Sequence, residues 1–91
     1  MAKLYVGVDM FNVNQTLFIE KEGKVGQAMT TPMNLLNKTI YQLVETEDIE
    51  EVFIGGAQEY IEKIGYDILK DLKTNYAEKN VRVRINDKIL N

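Results

Sequence analysis

The chain has 91 residues, of which 45% are hydrophobic and 27% charged, and it carries a net charge of −3. This composition is typical of a single globular domain over residues 1–91, and it excludes a disordered or low-complexity chain. Histidine, cysteine and serine are absent, which excludes the common zinc sites, histidine general bases and serine or cysteine nucleophiles. The negative net charge argues against a broad phosphate-binding surface.

The absence of cysteine favours a reducing compartment, and no apolar run approaches the roughly 20 residues that a membrane-spanning helix needs. We therefore expect a cytoplasmic protein without a membrane segment.

The first part of the chain predicts three strands. An almost continuous apolar run over residues 3–9 is typical of a strand covered on both faces. Residues 15–20 are rich in β-branched and aromatic types and predict a second strand. A turn at Gly23 then leads to a more polar third strand over residues 24–30.

Two helices and two further strands follow. Thr31 before a proline predicts a helix with Thr31 as its N-cap, and apolar residues spaced three and four apart extend this helix over 32–45. A short apolar run at 51–55 predicts a buried strand, and a long amphipathic stripe predicts a helix over 57–78. Strict alternation at 81–85 predicts a last strand with one solvated face.

The elements thus follow the order βββαβαβ, which predicts an α/β fold. Crossovers between parallel strands are right-handed, so the first, fourth and fifth strands are expected to be parallel and adjacent. The predicted architecture is a five-stranded mixed sheet of order 3-2-1-4-5 with two helices packed on it.

The element order, together with Val-Gly-Val-Asp ending the first strand at Asp9, resembles the ribonuclease H-like superfamily over residues 3–88. More narrowly, it is similar to the minimal branch that resembles Holliday-junction resolvases. The resemblance implies magnesium-binding carboxylates at the ends of the first and fourth strands and near the fifth. Asp9 matches the first position and Asp87 the last, whereas the Gly55–Gly56 pair stands where resolvases place a glutamate.

Each of these residues also has a structural interpretation. Asp9 ends a strand, where aspartate commonly bonds to the backbone of the following turn. The Gly55–Gly56 pair joins a strand to a helix N-terminus, which makes it a candidate anion-binding turn, but Glu59 in the first helical turn would repel a phosphate. A tight strand-to-helix turn is the alternative.

Four further residues are candidates for interaction. Arg82 and Arg84 share one face of a strand and could contact nucleic acid or an acidic partner, or could protect an edge strand from aggregation. Neither arginine is interleaved with aromatic residues in the sequence, so a stacking platform for single strands is not indicated. Met10 and Phe11 are too bulky for a nucleotide-phosphate loop, and if exposed they form an apolar anchor for a protein partner.

The sequence therefore predicts a non-catalytic accessory or inhibitor domain that acts through protein contacts and needs no cofactor. By analogy, small domains of this family with an incomplete site fit accessory proteins of phages or mobile elements. Self-association as a homodimer is expected, through helix or loop-end contacts that bury side chains such as Met33 and Tyr41. The alternative is a magnesium-dependent nuclease or resolvase that uses Asp9 and Asp87 as ligands.

Overall fold

A mixed sheet forms the centre of the protein in a computed structural model that describes residues 1–91. In chain order its strands are β1 (Ala2–Gly7), β2 (Asn14–Lys21), β3 (Lys24–Val25), β4 (Met29–Pro32), β5 (Ile49–Gly55), β6 (Arg82–Ile85) and β7 (Lys88–Ile89). The order across the sheet is β3-β2-β1-β5-β6-β7, and β4 also pairs with β2. The β1–β5 and β5–β6 pairs are parallel, whereas the remaining pairs are antiparallel.

The predicted α/β class with a mixed sheet and two helices is confirmed, but the prediction of five strands is wrong. The region predicted as one strand over 24–30 forms two short strands, β3 and β4, which both pair with β2. At this break the Gly26 N–H bonds to the Ile19 carbonyl at 2.8 Å, and the chain then leaves the ladder until Met29. The sequence pattern does not predict β7, because this strand is only two residues long and follows a tight turn in which Asn86 has a positive φ of 48°.

The two helices lie close to their predicted positions. A short 3-10 turn (Met33–Leu35) leads into α1 (Leu36–Thr46), and α2 (Gln58–Asn75) is followed by a second 3-10 turn (Ala77–Lys79). The predicted N-cap role of Thr31 is wrong, because Thr31 is a buried residue of β4 and its hydroxyl bonds to that of Thr39 at 2.9 Å.

Both helices pack on the same face of the sheet. The core is one cluster of 18 buried residues, in which alternate strand residues meet the apolar stripes of both helices: Leu4, Val6, Leu17, Val52, Ile54, Val83 and Ile85 from the strands, and Leu36, Ile40, Val44, Ile61, Ile68, Leu69 and Leu72 from the helices. The expectation that the first strand is covered on both faces is therefore wrong. Its apolar run is continuous because Tyr5 packs against Phe18 and Phe53 on the face without helices.

Gly65 allows α2 to approach the sheet closely. A Cβ atom at this position would lie 2.5 Å from Cγ2 of Ile85 and 3.1 Å from Cδ1 of Leu90. We expect Gly65→Ala to lower the free energy of unfolding by about 1–3 kcal/mol in urea titration, although alanine is the better helix former. Gly7→Ala is the control, since its Cβ would meet nothing nearer than 3.9 Å. Equal or higher stability of Gly65→Ala would contradict the close packing.

A hydrogen bond from the Tyr41 hydroxyl to Asp71 Oδ2, 2.5 Å long, joins the two helices. Burial and this bond raise the pKa of Tyr41 well above the usual 10 or so. Above about pH 10 the unfolded chain therefore loses the tyrosine proton while the folded protein keeps it, so stability decreases as pH rises.

We expect Tyr41→Phe to lower the free energy of unfolding by about 1–2 kcal/mol at pH 8. Its deficit relative to the unsubstituted protein should shrink toward pH 11, because the variant has no hydroxyl to titrate at this position. Denaturant titrations at pH 8 and pH 11 measure the difference in free energy of unfolding between the variant and the unsubstituted protein. Tyr60→Phe, which replaces another half-buried helical tyrosine, is the control. A deficit that stays constant with pH would show that the hydroxyl is not coupled to folding.

Candidate functional site

The loop between β1 and β2 is held by the buried side chain of Gln15, which is only 1% exposed. Its Oε1 accepts a hydrogen bond from the backbone N–H of Asp9 at 2.6 Å. Its Nε2 donates to the carbonyls of Asp9 at 3.2 Å and Asn12 at 2.8 Å. One side chain therefore satisfies three backbone groups of the loop and fixes its path.

Local hydrogen bonds complete the loop structure. The Asp9 carboxylate accepts from the Phe11 N–H at 2.9 Å, and the Asn12 side chain accepts from the Asn14 N–H at 3.2 Å. The Met33 N–H donates to the Val13 carbonyl at 2.8 Å, which joins the loop to the start of the first helical segment. The Asp9 carboxylate thus has the turn-stabilising contact that its alternative interpretation predicted.

The same loop exposes large apolar side chains to solvent. Phe11 is 92% exposed, Val13 75% and Met10 50%. Leu35, 45% exposed, lies in the 3-10 turn whose first residue, Met33, bonds to Val13. We call these four residues the loop patch. Met10 and Phe11 were candidates from the sequence, whereas Val13 and Leu35 were not, because their exposure depends on how the loop folds. Met33 and Tyr41, by contrast, pack against the core.

The Gly55–Gly56 turn is bonded to the turn after β6. The Asn86 side chain accepts from the Gly56 N–H at 3.2 Å and donates to the Gly56 carbonyl at 3.0 Å, and it also reaches Gln58 at 2.9 Å. Gly56 has a φ of 153°, and a Cβ there would lie 2.6 Å from the Val8 carbonyl oxygen, so this position requires glycine. The N–H that an anion would need is therefore directed at Asn86.

Asp9 and Asp87 lie at the same edge of the sheet, beyond the carboxyl ends of β1 and β6. Because β5 lies between β1 and β6, the backbones of these two strands are about 10 Å apart. Asp87 lines a shallow depression with Phe53, Gln58, Asn86 and Lys88, to which Asp9 does not contribute. No group of three or more acidic side chains is placed to hold a metal ion.

The two arginines surround a buried carboxylate. Glu51 Oε2 lies 3.6 Å from Arg82 Nε and 3.7 Å from Arg84 Nη2, and the Glu51 side chain is 8% exposed. The interpretation of these arginines as guards of an edge strand is wrong, because β7 pairs along the outer side of β6. The Arg84 guanidinium also lies 5.7 Å from the ring centre of Phe53, so the fold places it beside an aromatic residue that is distant in sequence.

Comparison with known proteins adds no relatives: no family model matches the chain, and neither curated proteins nor solved structures yield a match. Neither helix is both long and apolar enough to span a bilayer.

Replacement of the buried glutamine tests the loop structure. We expect Gln15→Leu to lower the free energy of unfolding by about 1–3 kcal/mol, because it leaves the Asp9 N–H and the Asn12 carbonyl without their hydrogen-bond partner. Hydrogen exchange of the Phe11 and Asn12 amides should become faster at the same time. Gln42→Leu, at an exposed helix position, should change stability by no more than about 0.5 kcal/mol. Unchanged exchange in Gln15→Leu would show that the loop is held by other contacts.

Proposed function

We propose that this protein is a non-catalytic binding domain whose loop patch inserts into an apolar pocket of a partner protein. The observation that supports the proposal most directly is that Phe11, 92% exposed, projects from a backbone that Gln15 and Asp9 hold in place. Large aromatic side chains are normally buried in a globular domain, and 45% of the residues of this chain are hydrophobic. Here the hydrogen bonds fix the loop in the conformation that exposes it.

Such an arrangement suits recognition for an energetic reason. Binding costs conformational entropy for every loop and side chain that becomes ordered, and a loop that is already ordered avoids much of this cost. Aromatic anchors at the centre of an interface contribute most of the binding energy, while neighbouring apolar contacts exclude water around them. Met10, Val13 and Leu35 are the other exposed apolar side chains of the loop patch.

The parallel β1–β5–β6 core and Asp9 after β1 support assigning the domain to the ribonuclease H-like superfamily as part of the same proposal. In this interpretation the magnesium site of the family is incomplete, and Asp9 stabilises the loop that carries the anchor. An accessory or inhibitor protein of a phage or mobile element, bound to a larger protein, is the role that fits a domain of this size.

The test compares matched variants in a capture experiment. Immobilised protein is exposed to lysate of the source cells, and bound proteins are compared among the unsubstituted chain, Phe11→Ser, Tyr66→Ser and Asp9→Asn. We expect a specific partner to be lost with Phe11→Ser, with affinity at least about 30-fold weaker once the partner is purified. Tyr66→Ser removes a 44% exposed aromatic on α2 and should retain the partner. Asp9→Asn should also retain it, because asparagine keeps the turn-stabilising acceptor.

Two results would contradict the proposal. Equal capture by Phe11→Ser would show that the loop patch is not the contact. Magnesium-dependent cleavage of branched DNA by the unsubstituted protein, abolished by Asp9→Asn, would instead support the nuclease alternative.

A further inference from the structure

The face of the sheet without helices carries two rows of side chains that cross the strands, and we call it the open face. The first row is aromatic and runs Phe18–Tyr5–Phe53 from β2 through β1 to β5, then continues with Arg84 and Ile89. The second row is charged and runs Glu20–Lys3–Glu51–Arg82 over β2, β1, β5 and β6. Neither row can be recognised along the chain, because each residue comes from a different strand.

The aromatic row is better suited to a protein partner than to nucleic acid. Tyr5 and Phe18 stack nearly parallel, with ring centres 5.0 Å apart and planes at 11°, so each ring covers a face of the other. Phe53 lies 5.4 Å from Tyr5, and its far side is occupied by Arg84. Bases stack on free ring faces, and these rings instead direct edges outward.

The charged row has a pattern that is complementary to itself. Along the row the signs alternate as negative, positive, negative and positive, so the same row read in the opposite direction has the opposite sign at every position. A two-fold axis parallel to the strands, placed between β1 and β5, reverses the row in this way. It would bring Lys3 opposite Glu51 of a second copy, and Glu20 opposite Arg82 of that copy.

We propose that the open face binds a second copy of this chain across such a two-fold axis, forming a β-sandwich between two sheets. The inference concerns a surface separate from the loop patch and does not depend on a partner there. Two-fold pairing uses the same patch on both subunits, and sheets stacked about 10 Å apart with strands nearly aligned are a common packing.

The aromatic row obeys the same symmetry. Tyr5 faces Phe53 of the second copy, and Phe18 faces Arg84, whose guanidinium can contact an aromatic ring. The buried Arg84 Nε–H has no hydrogen-bond partner within the chain. It lies in a groove of about 300 Å³ on the open face, lined also by Lys3, Tyr5, Glu51, Phe53, Arg82 and Ile89. A second copy that packs on the open face fills this groove.

The two ends of the open face carry exposed apolar side chains that the dimer would bury. Val25 in β3 is 63% exposed and Ile89 in β7 is 55% exposed, at opposite edges of the six-strand order β3-β2-β1-β5-β6-β7. The two-fold axis places β3 of one copy opposite β7 of the other, so each edge of the interface carries an apolar side chain: Val25 continues the charged row beside Glu20, and Ile89 continues the aromatic row beside Arg84. The face buries at most about 800 Å² per partner, the standard size, and we expect a dissociation constant on the order of micromolar.

Sedimentation velocity over roughly 5–500 μM total protein tests the proposal, because this range brackets the expected dissociation constant of the dimer. The unsubstituted chain should change from monomer to dimer over this range. Glu20→Lys and Arg82→Glu, each alone, should weaken the dimer at least about tenfold, because like charges then face each other across the axis. Together they should restore it to within a few-fold, because opposite charges then face each other across the axis.

Within one copy Glu20 in β2 and Arg82 in β6 are separated by β1 and β5 and cannot compensate each other, so rescue reports the interface itself. Tyr66→Ser, on α2, is the control and should leave the dissociation constant of the dimer unchanged. A monomer at every concentration, a dimer insensitive to the single substitutions, or a double variant without rescue would each overturn the proposal. Binding of single-stranded oligonucleotides that depends on Arg82 and occurs without dimerisation would assign the open face to nucleic acid instead.

Discussion

The alternation of side chains along the central strands is the constraint on which the other features depend. Successive residues of a strand point to opposite faces, so burying Leu4 and Val6 under the helices necessarily places Tyr5 on the other side. Both helices occupy one face, and Gly65 allows α2 to lie directly on Ile85. The opposite face therefore has no covering layer within the chain, and its aromatic side chains can only cover one another.

The same packing determines where surface apolar groups appear. A domain of this size has too little interior for all of its hydrophobic residues, so some stay in water. Among them, Phe11 lies in a loop that the buried Gln15 fixes, and Val25 and Ile89 lie at opposite edges of the open face. A point-like anchor and an extended face are different kinds of contact surface, and the two lie on separate parts of the molecule.

Much of the fold could be predicted because its signals are local or periodic. The apolar stripe of α2 and the alternation of β6 extend over enough residues to define element type, and handedness rules then make β1, β5 and β6 parallel neighbours. The division of the predicted 24–30 strand into β3 and β4, and the existence of β7, could not be predicted, because strands of two residues carry no periodicity. Their pairing depends on turns such as that at Asn86.

The sequence by itself determined the residues available for chemistry and binding. Without histidine, cysteine or serine the chain lacks the usual nucleophiles and zinc ligands, and Met10 and Phe11 after the first strand exclude a nucleotide-phosphate loop. Only the tertiary structure decided which residues become neighbours. Gln15 bonds to the loop six residues before it, and Arg84 lies beside Phe53, 31 positions earlier in the chain, because strand pairing sets distances that sequence separation does not encode.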